Sequence, residues 1–228
     1  NRALLEGSGV KFVGTATIGT DHMDTAWMEA KGIVWRHAPG CNANSVSEYL
    51  ASALLCLANR HGFTLEGKTI GVVGVGNVGS LVVKKAEALG LRVLRNDPPR
   101  QEAEARSRKS EGGSRKAEGE GANDFVSLDR VLAESDIVTL HVPLTKTGPH
   151  ATYHMADRAF FGKMKRGAIF LNLARGAVAD TDALLAALDQ GIAAHAAIDT
   201  WEGEPAYRSV LLARVDLAKS VEQLQVGM

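Results

Sequence analysis

Residues 69–80 read TIGVVGVGNVGS: a β-branched run, then Gly74, Gly76 and Gly79 in G-x-G-x-x-G spacing, then a helical pattern. Few short stretches restrict a fold as tightly. The strand has to end where Gly74 turns sharply, and Gly79 lets the following helix lie close against that strand. Gly76 lets the backbone approach a bulky anion. Behind it, a helix starting at Asn77 and Val78 offers unpaired N–H groups and the positive end of its dipole. That helix is predicted over 77–89, with Val78, Leu81, Val82 and Leu89 on one side and Gly90 at its end.

The same alternation runs through the chain. Strand-like segments at 10–16, 32–38, 69–74, 91–97, 136–142, 167–174 and 193–199 are separated by helical ones. Helices are predicted over 21–32, 45–60, 77–89, 127–134, 156–164 and from Asp180 to Gly191, with Ser45 and Glu48 as a capping box for the second. Regular alternation of this kind predicts an α/β fold, a doubly wound parallel sheet covered on both faces. A chain of 228 residues is long enough for one large domain, or one domain and part of another. One stretch departs from the pattern: residues 100–123, RQEAEARSRKSEGGSRKAEGEGAN, hold no aliphatic residue larger than alanine. Too little apolar area is available there to offset chain entropy, so a disordered surface insertion is predicted.

Charge narrows the partners. With 26 basic and 26 acidic residues the net charge is zero, which argues against nucleic acid or an anionic membrane as a partner. The most apolar stretch, YLASALLCLA at 49–58, is too short to span a bilayer. No leader is visible at Asn1, and Cys41 and Cys56 stand apart with no metal-ligand spacing, so a cytoplasmic location with reduced thiols and no metal is expected.

Four residues carry candidate chemistry. Asp97 closes the strand after the glycine turn, where a carboxylate accepts ribose hydroxyls and repels a 2′-phosphate, selecting NAD over NADP. Its bland alternative is a turn residue before Pro98. Arg175, in LNLARGAV, follows a buried strand at the edge where open α/β sheets bind ligands; there it can clamp a carboxylate, or merely form a surface ion pair. Asp199 and Glu204, in AIDTWEGEP, follow the next strand and belong at that same edge, giving two carboxylates beside a guanidinium.

Taken in order, the glycine turn, the acid at 97, HVPLT (141–145), NLARG (172–176) and DTWEGEP (199–205) resemble the D-2-hydroxyacid dehydrogenase family. Four further stretches narrow the likeness to members that act on a small phosphorylated 2-hydroxy acid. These are GTATIGTDHMD (14–24), APGCNANSVSEY (38–49), DPPR (97–100) and PLTKTGPHATYH (143–154). The resemblance implies a Rossmann NAD-binding domain over 42–228, with a linking helix at 45–60, and a remnant of a flavodoxin-like substrate domain over 1–41. It implies hydride transfer from C2 of the acid to NAD. Arg175 would bind the substrate carboxylate, Thr17 would contact the substrate, and Glu204 would pair with a catalytic histidine and raise its pKa. Val142, Leu173, Ala174 and Asp199 would line the cofactor with Gly74, Gly76, Asn77, Val78, Gly79 and Asp97. The intact family member would be a homodimer.

One departure stands out. The family's histidine is expected shortly after the glutamate, but 215–228 reads VDLAKSVEQLQVGM, with VDLA matching the short strand and Val221 at the histidine position. His141 and His195 fall in strands, His150 and His154 in a loop, and His22, His37 and His61 in the first segment or linking helix. The front of the chain is also short for the family, and the dimerisation region is missing. The expectation is a chain that binds NAD and turns over slowly. Two other readings stay open: a relative acting on another acid such as 3-phosphoglycerate, and a non-catalytic NAD-binding module.

Overall fold

Two parallel sheets organise the chain in the computed structural model, which describes residues 2–20, 22–110, 125–202 and 221–222. A short helix, α1 (Arg2–Leu5), precedes strand β1 (Phe12–Gly14), helix α2 (Thr25–Ala30) and strand β2 (Val34–Arg36). Parallel pairing of β1 with β2 makes the smaller sheet, against which α2 buries Met28. Asp24 caps α2 by accepting the Trp27 amide at 3.1 Å.

Helix α3 (Ala43–His61) then leads into the larger sheet. Its start corrects the predicted capping box. The chain leaves a left-handed turn at Gly40 (φ +80°) and is already helical at Ala43, with Asn42 as an N-cap whose side chain makes no capping bond. Ser45 therefore falls inside the first turn, and Glu48 is taken by the Asn44 amide at 2.7 Å.

The larger sheet is built from β3 (Thr69–Val73), β4 (Arg92–Asn96), β5 (Ile137–Leu140), β6 (Ala168–Asn172), β7 (Ala193–Ile198) and β8 (Val221–Glu222). All pairs are parallel, in the order β4-β3-β5-β6-β7-β8, and Phe125 adds an isolated bridge on Arg95 of β4. Helices α4 (Asn77–Ala88), α5 (Pro98–Ser110), α6 (Leu128–Glu134), α7 (Arg158–Lys163) and α8 (Thr181–Asp189) make the crossovers. The doubly wound parallel sheet is as predicted. Every residue of β3, β5 and β6 is buried, as strands covered on both faces require.

Side-chain alternation splits the core. Ile70, Val72, Ile137, Ile169 and Leu171 face α3 and α4 through Leu50, Leu54, Leu57 and Val82. Val73, Val138, Leu140 and Phe170 face the other way, onto Val131, Phe160, Phe161 and Leu184. Asp180 caps α8 through the Ala183 amide at 3.0 Å, as the sequence predicts.

One further expectation meets a different outcome. Residues 98–110 form helix α5 where a loop is predicted from 100 onward; 111–123 lie outside the described residues. Poverty in apolar side chains excludes a core position but not a solvated helix. Here Pro98 opens the helix, Asp97 accepts the Arg100 amide at 3.0 Å, and Arg100–Glu104 and Glu102–Arg106 pair one turn apart. The strand beside β7 is Val221–Glu222, whereas the one expected at 215–218 lies outside the described residues.

Candidate active site

Between β3 and β5 the winding of the sheet reverses. The chain leaves β3 toward β4 on one side and returns on the other as β5, so the loops after these two strands diverge and open a crevice. The glycine turn follows β3 on one lip, and His141–Val142–Pro143 follow β5 on the other.

The turn depends on its glycines for separate reasons. Gly74 has φ +88°, and a Cβ there would lie 2.7 Å from the carbonyl oxygen of His141. A Cβ on Gly79 would overlap the Gly74 carbonyl oxygen, so α4 reaches β3 only without a side chain. A Cβ on Gly76 would meet nothing within 4 Å: that space is open. Gly76 is also the N-cap of α4, and no side chain caps the helix. An open space in front of an uncapped helix of 12 residues fits a diphosphate.

Asp97 lies across from this turn. Its Oδ2 accepts the Val75 amide at 2.7 Å and its Oδ1 the Arg100 amide at 3.0 Å. Each oxygen keeps a second lone pair, enough for two ribose hydroxyls. The cleft in front of Gly74, Gly76 and Asp97 has a volume of about 520 Å³, is mainly apolar and is walled opposite by Thr145, Thr152 and Met155. Thr152 holds that wall together by accepting the Thr145 amide at 2.8 Å and donating to the Pro143 carbonyl. From α5, Glu102 reaches His150 of the same wall at 3.2 Å.

A second cleft, of about 680 Å³, continues from the first. His141, Val142 and Pro143 border both. It brings together Thr17, Asn77, Val78, Leu173, Ala174 and Arg175, residues from three separate segments. Thr17 is held by its hydroxyl on the Gly19 carbonyl at 2.8 Å and by Thr15 at 2.8 Å. Arg175 rides on a turn organised by buried Asn172, whose side chain accepts the Ala174 amide at 3.1 Å and donates to the Arg175 carbonyl at 3.0 Å. Beyond it, a Cβ on Gly176 would overlap the backbone of Trp201 and Glu202.

Asp199 borders neither cleft. It stands at the end of β7, its amide on the Asn172 carbonyl at 3.1 Å; burial raises the pKa of half-buried Tyr49, and the charge of Asp199 raises it further. Gly79 lies behind the turn instead of in its mouth. Glu204 is outside the described residues. His141 follows β5 directly, its amide on the Val73 carbonyl at 2.8 Å and its Nε2 3.0 Å from the Thr139 hydroxyl. Burial of the ring pushes its pKa down to about 3, so the imidazole is neutral.

Four residues were not singled out from the sequence. His37 and Cys41 enter the second cleft because pairing of β1 with β2 brings residues 15–20 and 37–42 to one edge. Asn172 was visible only as part of NLARG, and Arg100 only as part of DPPR.

The family model for the D-isomer-specific 2-hydroxyacid dehydrogenase NAD-binding domain matches residues 56–218. The chain belongs to this family. It is 48% identical to the erythronate-4-phosphate dehydrogenase of Citrobacter koseri over 220 residues, 96% of this chain and 54% of that protein. It is 50% identical to the protein of the same name from Salinibacter ruber over 217 residues, 95% of this chain and 52% of that one. The chain thus spans about half the length of the curated relatives it matches. Among solved structures, D-lactate dehydrogenase from Aquifex aeolicus, complexed with NAD and lactic acid, superposes with a TM-score of 0.70 at 27% identity, covering 93% of this chain and 68% of that one. NAD-dependent formate dehydrogenase from Staphylococcus aureus, in complex with NAD, gives 0.70 at 26%, covering 93% and 63%. The chain therefore carries an NAD-binding domain of this family.

Proposed function

We propose that this chain is the NAD-binding part of an erythronate-4-phosphate dehydrogenase. That enzyme would oxidise 4-phospho-D-erythronate at C2 to 3-hydroxy-2-oxo-4-phosphooxybutanoate, in pyridoxal 5′-phosphate biosynthesis. The observation that carries the reading is the continuity of the two clefts: His141, Val142 and Pro143 border both, so a cofactor seated at the glycine turn reaches toward Arg175. The high identity to the two erythronate-4-phosphate dehydrogenases supports the choice of acid.

NAD supplies the hydride acceptor. The chain's residues bind and orient. Gly76, Asn77 and Val78 would hold the diphosphate, Asp97 the adenosine ribose, and Val142, Leu173 and Ala174 the nicotinamide end, with Asp199 behind it. Arg175 would pair bidentately with the substrate carboxylate and polarise the adjacent C2 oxygen, while Thr17 would contact the acid from the smaller sheet. Residues 1–41 are then part of the substrate domain and 42–228 the NAD-binding domain. Loss of the C2 hydroxyl proton needs a base, and Glu204 would act by pairing with an imidazole. Val221 stands where that histidine is expected, so slow turnover is part of the proposal. That same feature favours the second reading, a non-catalytic NAD-binding module. A cytoplasmic location and a homodimeric intact enzyme complete the proposal; among the described residues no helix is long and apolar enough to cross a membrane.

The test has two stages. NAD titration by calorimetry should show saturable binding to this chain. Nicotinamide absorbance should then show 4-phospho-D-erythronate, and not 3-phosphoglycerate, oxidised slowly, with the rate raised by Val221→His in a chain extended at its N-terminus. Family-typical rates without that change would overturn the slow-turnover claim, and silence with it would favour the module.

A further inference from the structure

We propose that Arg100 is a positioning residue of the cofactor turn, aiming the peptide between Val75 and Gly76 before NAD arrives. Val75 is the residue between the first two glycines, and both of its backbone groups are held from outside the turn. Its amide donates to Asp97 Oδ2 at 2.7 Å. Its carbonyl accepts from the Arg100 guanidinium, and from the Ser80 hydroxyl at 3.1 Å. The same guanidinium nitrogen lies 3.2 Å from Ser80 Oγ, and Arg100 Nε is fixed on Glu104 at 3.0 Å. The Phe125 ring lies beneath, its centroid 6.0 Å from the guanidinium carbon. Asp97 also accepts the amide of Arg100. Two residues three apart thus grip both sides of Val75 and are tied to each other.

The consequence follows from peptide geometry. A trans peptide is planar, so its C=O and N–H point in opposite directions. Holding the Val75 carbonyl toward Arg100 and Ser80 turns the Gly76 amide away from them, on the residue whose Cβ position opens on empty space. Without that grip the 75–76 peptide can rotate and present its carbonyl oxygen to the diphosphate, an acceptor facing an anion. A charged fork with two acceptors in reach suits the task better than a lone hydroxyl. The proposal rests on NAD binding at this turn, and its test separates the two.

The chain, Arg100→Leu and Ser80→Ala are each titrated with NAD, ADP and adenosine by calorimetry, with thermal melts alongside. Arg100→Leu should weaken NAD and ADP by about tenfold and leave adenosine within about twofold, since the lost bonds orient only the diphosphate site. Ser80→Ala alters no charge and should weaken NAD in the same direction by about two- to threefold. Raising the salt concentration should leave the Arg100→Leu deficit in place, because a positional defect is not screened as a lost long-range attraction is. Equal losses for adenosine and NAD, a deficit that vanishes in high salt, or no loss in either variant would overturn the proposal. Should Arg100→Leu fail to fold, Ser80→Ala decides alone, unchanged NAD affinity counting against it. Absence of NAD binding to the unaltered chain would overturn both the proposal and the reading beneath it.

Discussion

Nε2 of His154 lies 2.7 and 2.8 Å from the two carboxylate oxygens of Glu202, 48 residues further along the chain. Among the described residues His154 is the one non-glycine with positive φ, at +50°. A left-handed residue of this kind costs about 1–2 kcal/mol and persists only where its surroundings hold it. Here the His154 amide donates to the Ala177 carbonyl at 2.9 Å, and the ring stacks on Tyr153 at 4.1 Å. The pair ties the loop before α7 to the segment after β7, on either side of the turn that carries Arg175.

Breaking that tie should loosen the arginine turn more than the cofactor turn. Glu202→Gln is expected to lower unfolding free energy by up to about 1 kcal/mol, the range of a partly exposed ion pair. Urea denaturation measures it, and NAD affinity should stay within about threefold. A larger loss of NAD affinity than of stability would contradict the placement.

Gly76 and Gly79 should separate binding from folding. Gly79→Ala drives a methyl group into the Gly74 carbonyl and should destabilise the chain by about 1–3 kcal/mol. Gly76→Ala meets open space, so its melting temperature should hold while the methyl group obstructs the diphosphate and NAD affinity falls by about tenfold or more. Thermal melts and NAD titration on the two variants check both halves.

Removing the Asp97 carboxylate should erode discrimination between the dinucleotides. In Asp97→Ala, NAD binding should weaken by about tenfold while NADP weakens less or gains, because ribose acceptors and the repulsion of a 2′-phosphate go together. Parallel titrations with NAD and NADP give the ratio; an unchanged ratio would place cofactor choice elsewhere.

His141 sets a pH dependence whose sign is fixed. Its folded pKa is about 3, below the ordinary histidine value, so between the two the unfolded chain binds a proton that the folded chain refuses. Stability should be unaffected by this group above about pH 6.5 and should fall progressively as pH drops from there toward 3. In His141→Gln the acid limb of the stability profile should begin at lower pH. Urea midpoints from pH 4 to 8 for both chains test it.

Arg175→Met should leave NAD affinity within about threefold, since the side chain borders the second cleft only. What it should remove is binding of a 2-oxo acid to the NADH-loaded chain, read by quenching of NADH fluorescence. Retained quenching would take the substrate carboxylate away from Arg175.

Much of this architecture was legible in the residues. The buried strands read as continuous apolar runs, the glycine turn as a strand-to-helix junction, and Asp180 as a helix cap. The exceptions have local physical causes. Ser45–Glu48 has the composition of a capping box, but the turn at Gly40 started the helix two residues early. Residues 100–110 looked like loop because nothing in them could join a core, yet ion pairs a turn apart and the Asp97 cap suffice for a surface helix.

By itself the sequence determined which elements form, because helix and strand periodicity, caps and turn glycines act over a handful of neighbours. It also determined that a glycine turn with open space at Gly76 follows β3, since glycine spacing is a local property. Only the tertiary structure decided which groups meet: Asp97 and Arg100 on Val75, Glu202 on His154, and His37 and Cys41 on the same cleft as Arg175. Those meetings join segments tens of residues apart, and their partners are chosen by sheet order and crossover packing, which no short stretch of chain encodes.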